Sequence, residues 1–424
     1  MNGGARKAAH DALTAITKDG AYTALALKKH LPSSLSGEDK AFASRLVRTT
    51  LENLLRIDYQ LNQFITTKRV HGSVRNVLRL GACQILYMGV EEYAAVSESV
   101  RLVKKIKPQM SGFVNAVLRA LIGGSEKIRY PQGRNAQSLS ICASYPVWMC
   151  EKFIADFGYD FTEALLSYKP QPGTTVRANT IKANAQVLES ELNNLGLTYT
   201  KGSITDSYIV NGFSGIENMQ IYQSGMIAVQ SHSAMRAVLA SDIKPGGKLL
   251  DCCAAPGGKS AYAAALAGNA LEIVAWDIHE HRVDMTNKNY DRLGVANAKA
   301  VLQDASAAQP CLNNAFDYVI VDAPCSAMGL MTRNPDIRYN RKAEDISALG
   351  EKQHSILSTC WRYVKPGGML SYYTCSINKE ENEEVTDKFI AENSGFEYAA
   401  KPQTLYPHID GSDGFYIAVM RRKR

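Results

Sequence analysis

Between Ala5 and about Ile122, apolar residues recur at three- and four-residue spacing, as in Ala43, Leu46, Val47, Leu51 and Leu54, and again in Leu78, Ala82 and Ile85. That spacing gathers them on one face of a helix. Pro32 and Pro108 fall between such stretches, where helix breaks are expected. Residues 1–126 therefore read as an all-α bundle. Gly123-Gly124-Ser125 and Tyr130-Pro131-Gln132-Gly133 are turn formers, so residues 127–143 read as a linker. Residues 144–238 are mixed. Ser144-Tyr145-Pro146 opens a helix through Trp148 and Phe153, residues 175–179 suit a short strand, and a second helix is expected near 187–195. This is a small α+β module.

From Gly246 the pattern changes again. Short apolar runs at 248–252, 271–276, 298–302, 316–321 and 368–373 alternate with stretches long enough for crossover helices. Residues 239–424 thus predict a doubly wound, Rossmann-like parallel sheet, whose ligands bind beyond the carboxyl ends of the strands.

After the first of these strands stand Ala254, Ala255, Pro256, Gly257, Gly258, Lys259 and Ser260, opening onto an alanine-rich helix. Glycines let backbone approach a ligand, and the helix N-terminus offers free N–H groups. Gly258-Lys259-Ser260 matches the end of a Walker A loop, but Cys253 occupies the position of its first glycine. A GxGxxG dinucleotide pattern is absent. Asp251, Asp277, Asp304 and Asp322 fall at, or one or two residues beyond, successive strand ends. Any one alone is as well explained as a helix N-cap. Four around one crevice repel a triphosphate but suit a ligand with an ammonium, a sulfonium and a ribose diol. That ligand is S-adenosyl-L-methionine. Asp277, 26 residues past Asp251, has the position of an acid that takes ribose hydroxyls.

Two cysteines stand at the same edge, Cys325 in Asp322-Ala323-Pro324-Cys325 and Cys375 in Thr374-Cys375-Ser376. A thiolate adding to carbon 6 of cytosine breaks the ring's aromaticity and makes carbon 5 nucleophilic. A second group must then help remove the carbon 5 proton and release the thiol, and an acid at ring nitrogen 3 stabilises the adduct. Spacing alone does not say which cysteine attacks. Cys83, Cys142, Cys150, Cys252, Cys253, Cys311 and Cys360 read as small core residues, the usual fate of a free cysteine.

Composition narrows the setting. The chain has 424 residues, 46% hydrophobic and 21% charged, which suits an enzyme of two or three domains. No apolar run is long enough for a membrane span, and the polar N-terminus carries no signal-peptide pattern. Nine cysteines without a CxxC pair suggest the reducing cytoplasm, and with no HExxH no metal site is expected. Residues 1–130 hold 20 Lys and Arg against 10 Asp and Glu, while the remainder holds 28 against 31. The positive excess lies wholly in the helical part. It is either a solvated surface or an attraction to a polyanion.

Residues 251–260 and 322–326, Asn334-Pro335-Asp336, Thr374-Cys375-Ser376 with Glu380-Glu381-Asn382, and Asp413-Gly414-Phe415 together resemble the Sun/Fmu family of RNA cytosine-C5 methyltransferases. Leu80-Gly81-Ala82 and the stretch from Phe113 to Arg119 are similar to the NusB-like RNA-binding domain of its bacterial RsmB branch. The resemblance implies a class I methyltransferase domain acting as a monomer on small-subunit (16S) ribosomal RNA. It makes Cys375 the nucleophile, gives product release to Cys325, and places Asp322 against the cytosine. Asp277 would hold the ribose and Asp304 the adenine, with Lys259 and the backbone of 254–258 at the methionine end. Two positions depart from the family pattern. Ser231 stands where an acid usually follows Val229-Gln230, and Tyr339 replaces a usual tryptophan. Two other readings compete: the same chemistry on transfer RNA, and a non-enzymatic RNA-binding protein with a degenerate methyltransferase fold. The retained Cys325, Cys375, Lys259 and Asp322 argue against the second.

Overall fold

The helical spacing of the N-terminal third does build helices, and their apolar faces meet. In a computed structural model, which describes residues 3–213 and 215–424, the chain divides into two units. The first runs to Tyr168 and includes Met331–Arg341; the second comprises Lys169–Leu330 and Lys342–Arg424.

The first unit contains helices Gly3–Asp19, Thr23–His30, Gly37–Glu52, Leu54–Asn62, Gly72–Tyr87, Glu92–Ile106 and Ser111–Gly124. Ala43, Leu46, Val47, Leu51 and Leu78 of the expected stripes are fully buried in one core with Leu13, Val77 and Leu118. Gly81 shows why a glycine is needed there. A Cβ at that position would lie 2.7 Å from Leu118 Cδ1 and 2.8 Å from Ser99 Oγ, so three helices meet over its backbone. Gly123 and Gly124, read as turn formers, instead finish helix Ser111–Gly124. The ring of Phe64 fills the space a Cβ of Gly124 would take. The stretch read as linker also holds a helix, Ala136–Ala143, whose N-terminus is capped by Asn135. Its eight residues are too few to show a period beside Pro131 and Gly133. Helices Val147–Phe157 and Tyr159–Ser167 follow in this unit, parted by Gly158 at φ 81°.

The segment Met331–Arg341, expected within the methyltransferase domain, groups with these helices. Arg338 is buried and stacks 3.8 Å over the ring of Tyr145. Its guanidinium donates to the carbonyls of Met331, Glu52 and Ser144. Asp336 accepts the N–H of Thr23, the first residue of a helix. Tyr339, the departure from tryptophan, donates its hydroxyl to Leu51 O at 2.7 Å, a bond the indole nitrogen would have to replace.

The second unit opens with a four-stranded antiparallel sheet of β1 (Thr174–Ala178), β2 (Thr198–Lys201), β3 (Ser207–Asn211) and β4 (Ile227–Val229), in the order β2-β3-β1-β4. Helix Ala185–Asn194 covers it with Leu188 and Leu192. The main sheet contains β5 (Lys248–Asp251), β6 (Glu272–Asp277), β7 (Ala298–Leu302), β8 (Phe316–Asp322), β9 (Val364–Thr374), β10 (Phe396–Tyr398), β11 (Gln403–Leu405) and β12 (Phe415–Arg422). Its order is β10-β12-β9-β8-β5-β6-β7, with β11 also paired to β12. Strands β5 to β9 are parallel, as the alternation implied. The antiparallel additions β10, β11 and β12 were not evident from it. Sequence order runs outward from β5 toward β7 on one side and from β8 toward β9 on the other. The crevice beyond β5 and β8 is therefore the topological switch point.

Candidate active site

The four acids expected at strand ends occupy them. Asp251, Asp277 and Asp322 are the last residues of β5, β6 and β8, and Asp304 lies two residues past β7. Their environments differ. Asp251 is buried, and neither carboxylate oxygen has a hydrogen-bond partner. The nearby Ser260 hydroxyl is engaged by Tyr290 at 2.7 Å and the carbonyl of Gly257. Burial, and after it the charge of Asp322, push the Asp251 carboxyl up to about 7. Asp277 accepts the N–H of His279 at 3.0 Å and lies 3.4 Å from the Arg282 guanidinium. Asp304 is exposed and accepts both the N–H and the hydroxyl of Ser306, bonds that lower its carboxyl.

Lys259, in the first turn of helix Gly258–Leu266, pairs with Asp322 at 2.5 Å. Burial pulls its ammonium down, but Asp322, aided by Cys375 and Asp251, outweighs burial and the net shift is upward. The ring of Phe415 lies beneath it at 5.4 Å. Ahead of that helix, Ala254 to Gly257 form a tight turn closed by the Gly257 N–H to Ala254 O bond at 2.6 Å. Gly257 has φ 83°, and a Cβ there would meet Thr286 at 2.8 Å. A Cβ on Gly258 would instead meet nothing within 4 Å, so that turn faces open space. An orphaned buried carboxylate beside an open glycine turn fits a ligand bearing an ammonium.

Both expected cysteines come to this crevice. Their sulfurs are 2.9 Å apart, and each thiol is partly exposed. The Cys325 thiol is pushed well above its usual range, first by its hydrogen bond with Cys375 and then by burial. Cys83, Cys150, Cys252 and Cys360 are buried as expected, but Cys142 and Cys311 are exposed and Cys253 is intermediate. The core reading was wrong for the exposed pair because Cys142 lies in the last turn of a short helix, off its buried face, and Cys311 lies in a three-residue helical turn, Pro310–Leu312, with no buried residue.

Sequence reasoning gave no role to the groups that hold the cysteine loops. Gly329 donates its N–H to Cys375 O and accepts from Gly414 N–H, both at 2.9 Å, tying three loops together. A Cβ on Gly329 would fall 2.1 Å from Gly414 O. Glu381 lies buried behind the cysteines and bonds Ser326 and Ser376. The repeated Cys-Ser pair in the two loops was the available signal. At the other departure from the family pattern, Ser231 caps helix His232–Ala240 by accepting from Ala234 N–H.

Comparison with known proteins gives the family. Residues 238–421 match the family model described as 16S rRNA methyltransferase RsmB/F, and residues 4–122 match the NusB family. The probable ribosomal RNA small subunit methyltransferase B of Bacillus subtilis is 32% identical over 99% of this chain and 98% of its own. This chain belongs to the ribosomal RNA small subunit methyltransferase B family. The Klebsiella pneumoniae member is 29% identical over 93% of each chain. Among solved structures, PH0851 superposes with TM-score 0.83 at 24% identity over 100% of this chain and 99% of its own, which shows the fold. A methyltransferase homologue from Pyrococcus horikoshii gives TM-score 0.59 at 28% identity, covering 68% of this chain and 98% of its own. Membership makes the chain an S-adenosyl-L-methionine-dependent 16S rRNA methyltransferase with a NusB-like helical domain and a Rossmann-like catalytic domain. Among the described residues no helix is long and apolar enough to cross a membrane.

Proposed function

We propose that the enzyme methylates carbon 5 of a cytosine in 16S ribosomal RNA through a covalent bond between Cys375 and carbon 6. The observation that carries this reading is the pair of thiols 2.9 Å apart, beside the Lys259–Asp322 ion pair at the switch point. One thiol would suffice for simple attack; two serve attack and release.

S-adenosyl-L-methionine supplies an electrophilic methyl on a sulfonium. Asp251 would face its ammonium, Asp277 its ribose and Asp304 its adenine, with residues 254–260 along the methionine end. The Cys375 thiolate adds to carbon 6, and the electron pair of the 5,6 double bond moves into the ring toward nitrogen 3, which takes a proton passed from the Lys259 ammonium through Asp322 and gives it back when the double bond reforms. Carbon 5 then takes the methyl, and the sulfonium leaves as a neutral thioether. Loss of the carbon 5 proton restores the double bond and expels Cys375 as a thiolate. Cys325 is placed to take that proton, once its own has passed to solvent. The reading places the enzyme in the cytoplasm, acting as a monomer on unassembled or partly assembled RNA.

The test is adduct trapping on unmodified 16S RNA. Cys325→Ser should accumulate a protein–RNA complex stable to denaturing detergent, and Cys375→Ser should form none and lack activity, since a hydroxyl is far less ionised than a thiol. An adduct in the Cys375 variant would invert the roles, and none in either would refute the mechanism. A methyl product on transfer RNA alone would refute the substrate.

A further inference from the structure

Behind the two thiols lies a carboxylate with an unusual set of partners. Glu381 is fully buried, and its Oε1 accepts the N–H of Ser326 at 2.7 Å and the side-chain amide of Gln353 at 3.1 Å. Its Oε2 accepts the hydroxyls of Ser326 and Ser376 and, at 2.8 Å, the amide of Asn378. Ser326 follows Cys325 and Ser376 follows Cys375. Five donors from three segments thus converge on one side chain. Both oxygens act as acceptors, the role of a carboxylate rather than of a carboxylic acid. Such a group fixes geometry more strongly than neutral bonds do, because bonds to a charged acceptor are roughly twice as strong.

The charges around the thiols are also asymmetric. The Lys259 ammonium, paired with Asp322, interacts with Cys375. The Glu381 charge acts on Cys325, opposing its ionisation after the larger effects of the Cys375 hydrogen bond and burial. Another titratable group facing Cys325 is the phenol of Tyr372, itself pushed up by burial, which donates its hydroxyl to the Glu381 carbonyl.

We infer that Glu381 is a positioning residue that locks the two cysteine loops at one separation and biases the negative charge of the thiol pair onto Cys375. The inference deepens the two-cysteine reading above and rests on it for the identity of the nucleophile. Glu381 touches no substrate; it acts through the serines and through its field. A mere brace would set the spacing and leave the ionisation of Cys325 alone.

The test uses the full-length enzyme and two variants, Glu381→Gln and Glu381→Asp. The pH dependence of iodoacetamide alkylation is followed at Cys325 and Cys375 separately by peptide mass spectrometry, beside single-turnover methylation and donor affinity. Glu381→Gln should lower the midpoint of Cys325 alkylation by about one pH unit, as loss of one nearby like charge does. It should also slow methylation by about tenfold with donor affinity unchanged. Glu381→Asp keeps the charge but shortens the reach, so the Cys325 midpoint should stay while the rate falls. An unmoved midpoint in folded Glu381→Gln would overturn the inference, as would a lowered midpoint in Glu381→Asp if the glutamine variant does not fold. Alkylation reads the free enzyme and adduct trapping reads the reaction. A shifted midpoint without any Cys325→Ser adduct therefore keeps the placement of charge and removes only the covalent route.

Discussion

The most exposed consequence of the site is that methyl-donor binding should release a proton from Asp251. Its carboxyl is raised to about 7 by burial and by Asp322, which outweigh the lowering effects of Ser260, Lys259 and the Cys253 backbone. A donor ammonium placed beside it favours the ionised form. With a free-enzyme value near 7, ionised Asp251 is about nine-tenths of the total at pH 8 and about one-tenth at pH 6, by the ordinary titration relation. The dissociation constant should therefore rise about tenfold on going from pH 8 to pH 6, and binding at pH 7 should release about half a proton. Calorimetry of S-adenosylhomocysteine, which carries the same ammonium, in two buffers of different ionisation enthalpy measures both. Asp251→Asn should bind weakly and lose this pH dependence, while any titration of the ligand itself persists in it. The sign for stability is the reverse of the usual carboxylate. Folded Asp251 holds a proton that the unfolded chain loses above 3.8, so the unliganded fold weakens as pH rises from there to about 7. Asp251→Asn should thus melt above the wild type at pH 8 and close to it at pH 4. A pH-independent affinity with no proton release would refute the placement of the ammonium at Asp251.

Other outcomes follow from single contacts. Asp277→Ala should weaken donor binding by about 1–3 kcal/mol, the cost of leaving polar groups unpaired, with unchanged affinity removing the ribose assignment. Gly81→Ala should destabilise the helical unit by about 1–3 kcal/mol through overpacking against Leu118 and Ser99, read by denaturant titration. Gly329→Ala should abolish methylation, because its Cβ would meet the Gly414 carbonyl at 2.1 Å, and a fully active variant would show that the loop tie is dispensable. Replacing exposed Lys68, Arg69, Lys104 and Lys105 with alanine should weaken RNA binding and flatten its logarithmic salt dependence by up to about 3, whereas an unchanged slope would make the charge excess only a solvated surface.

What the sequence made legible follows from periodicity and position. Strands β5, β6, β8 and β9 are covered on both faces, so they appear as continuous apolar runs. The acids were legible because a rule of topology, strand end plus switch point, needs no side-chain detail. The edge additions were not. β10 and β11 have three residues each, and β12 is an apolar run with no crossover helix before it, so nothing marked it as antiparallel. Helix Ala136–Ala143 was hidden by the neighbouring turn formers, and the docking of Met331–Arg341 among the N-terminal helices depends on Arg338 meeting carbonyls about 190 and 290 residues away, which no local pattern reports. Glu381 was visible only as a letter in a motif. Its meaning lies in two serines, one of them 55 residues distant, brought together by folding.

The pairing of β8 with β9 explains how so exact a meeting of two thiols is reached from residues 50 positions apart. The strands are parallel neighbours, with Asp322 opposite Tyr373 in register. Loops leaving adjacent parallel strands start about 5 Å apart and in the same direction. Cys325 is three residues beyond Asp322 and Cys375 two beyond Tyr373, so both loops deliver a thiol after nearly the same length of chain. A one-residue slip between the strands would send alternate side chains to the opposite face and separate the pair. The slip is opposed by the buried run Val319, Ile320 and Val321 against Leu370, Ser371 and Tyr372, all of them at most 2% exposed. The core thus sets the spacing to within one residue, and Glu381, Gly329 and Gly414 set it to within an ångström. Chemistry that needs one thiolate and one neighbouring thiol requires both levels, since the strand register alone leaves two flexible loops.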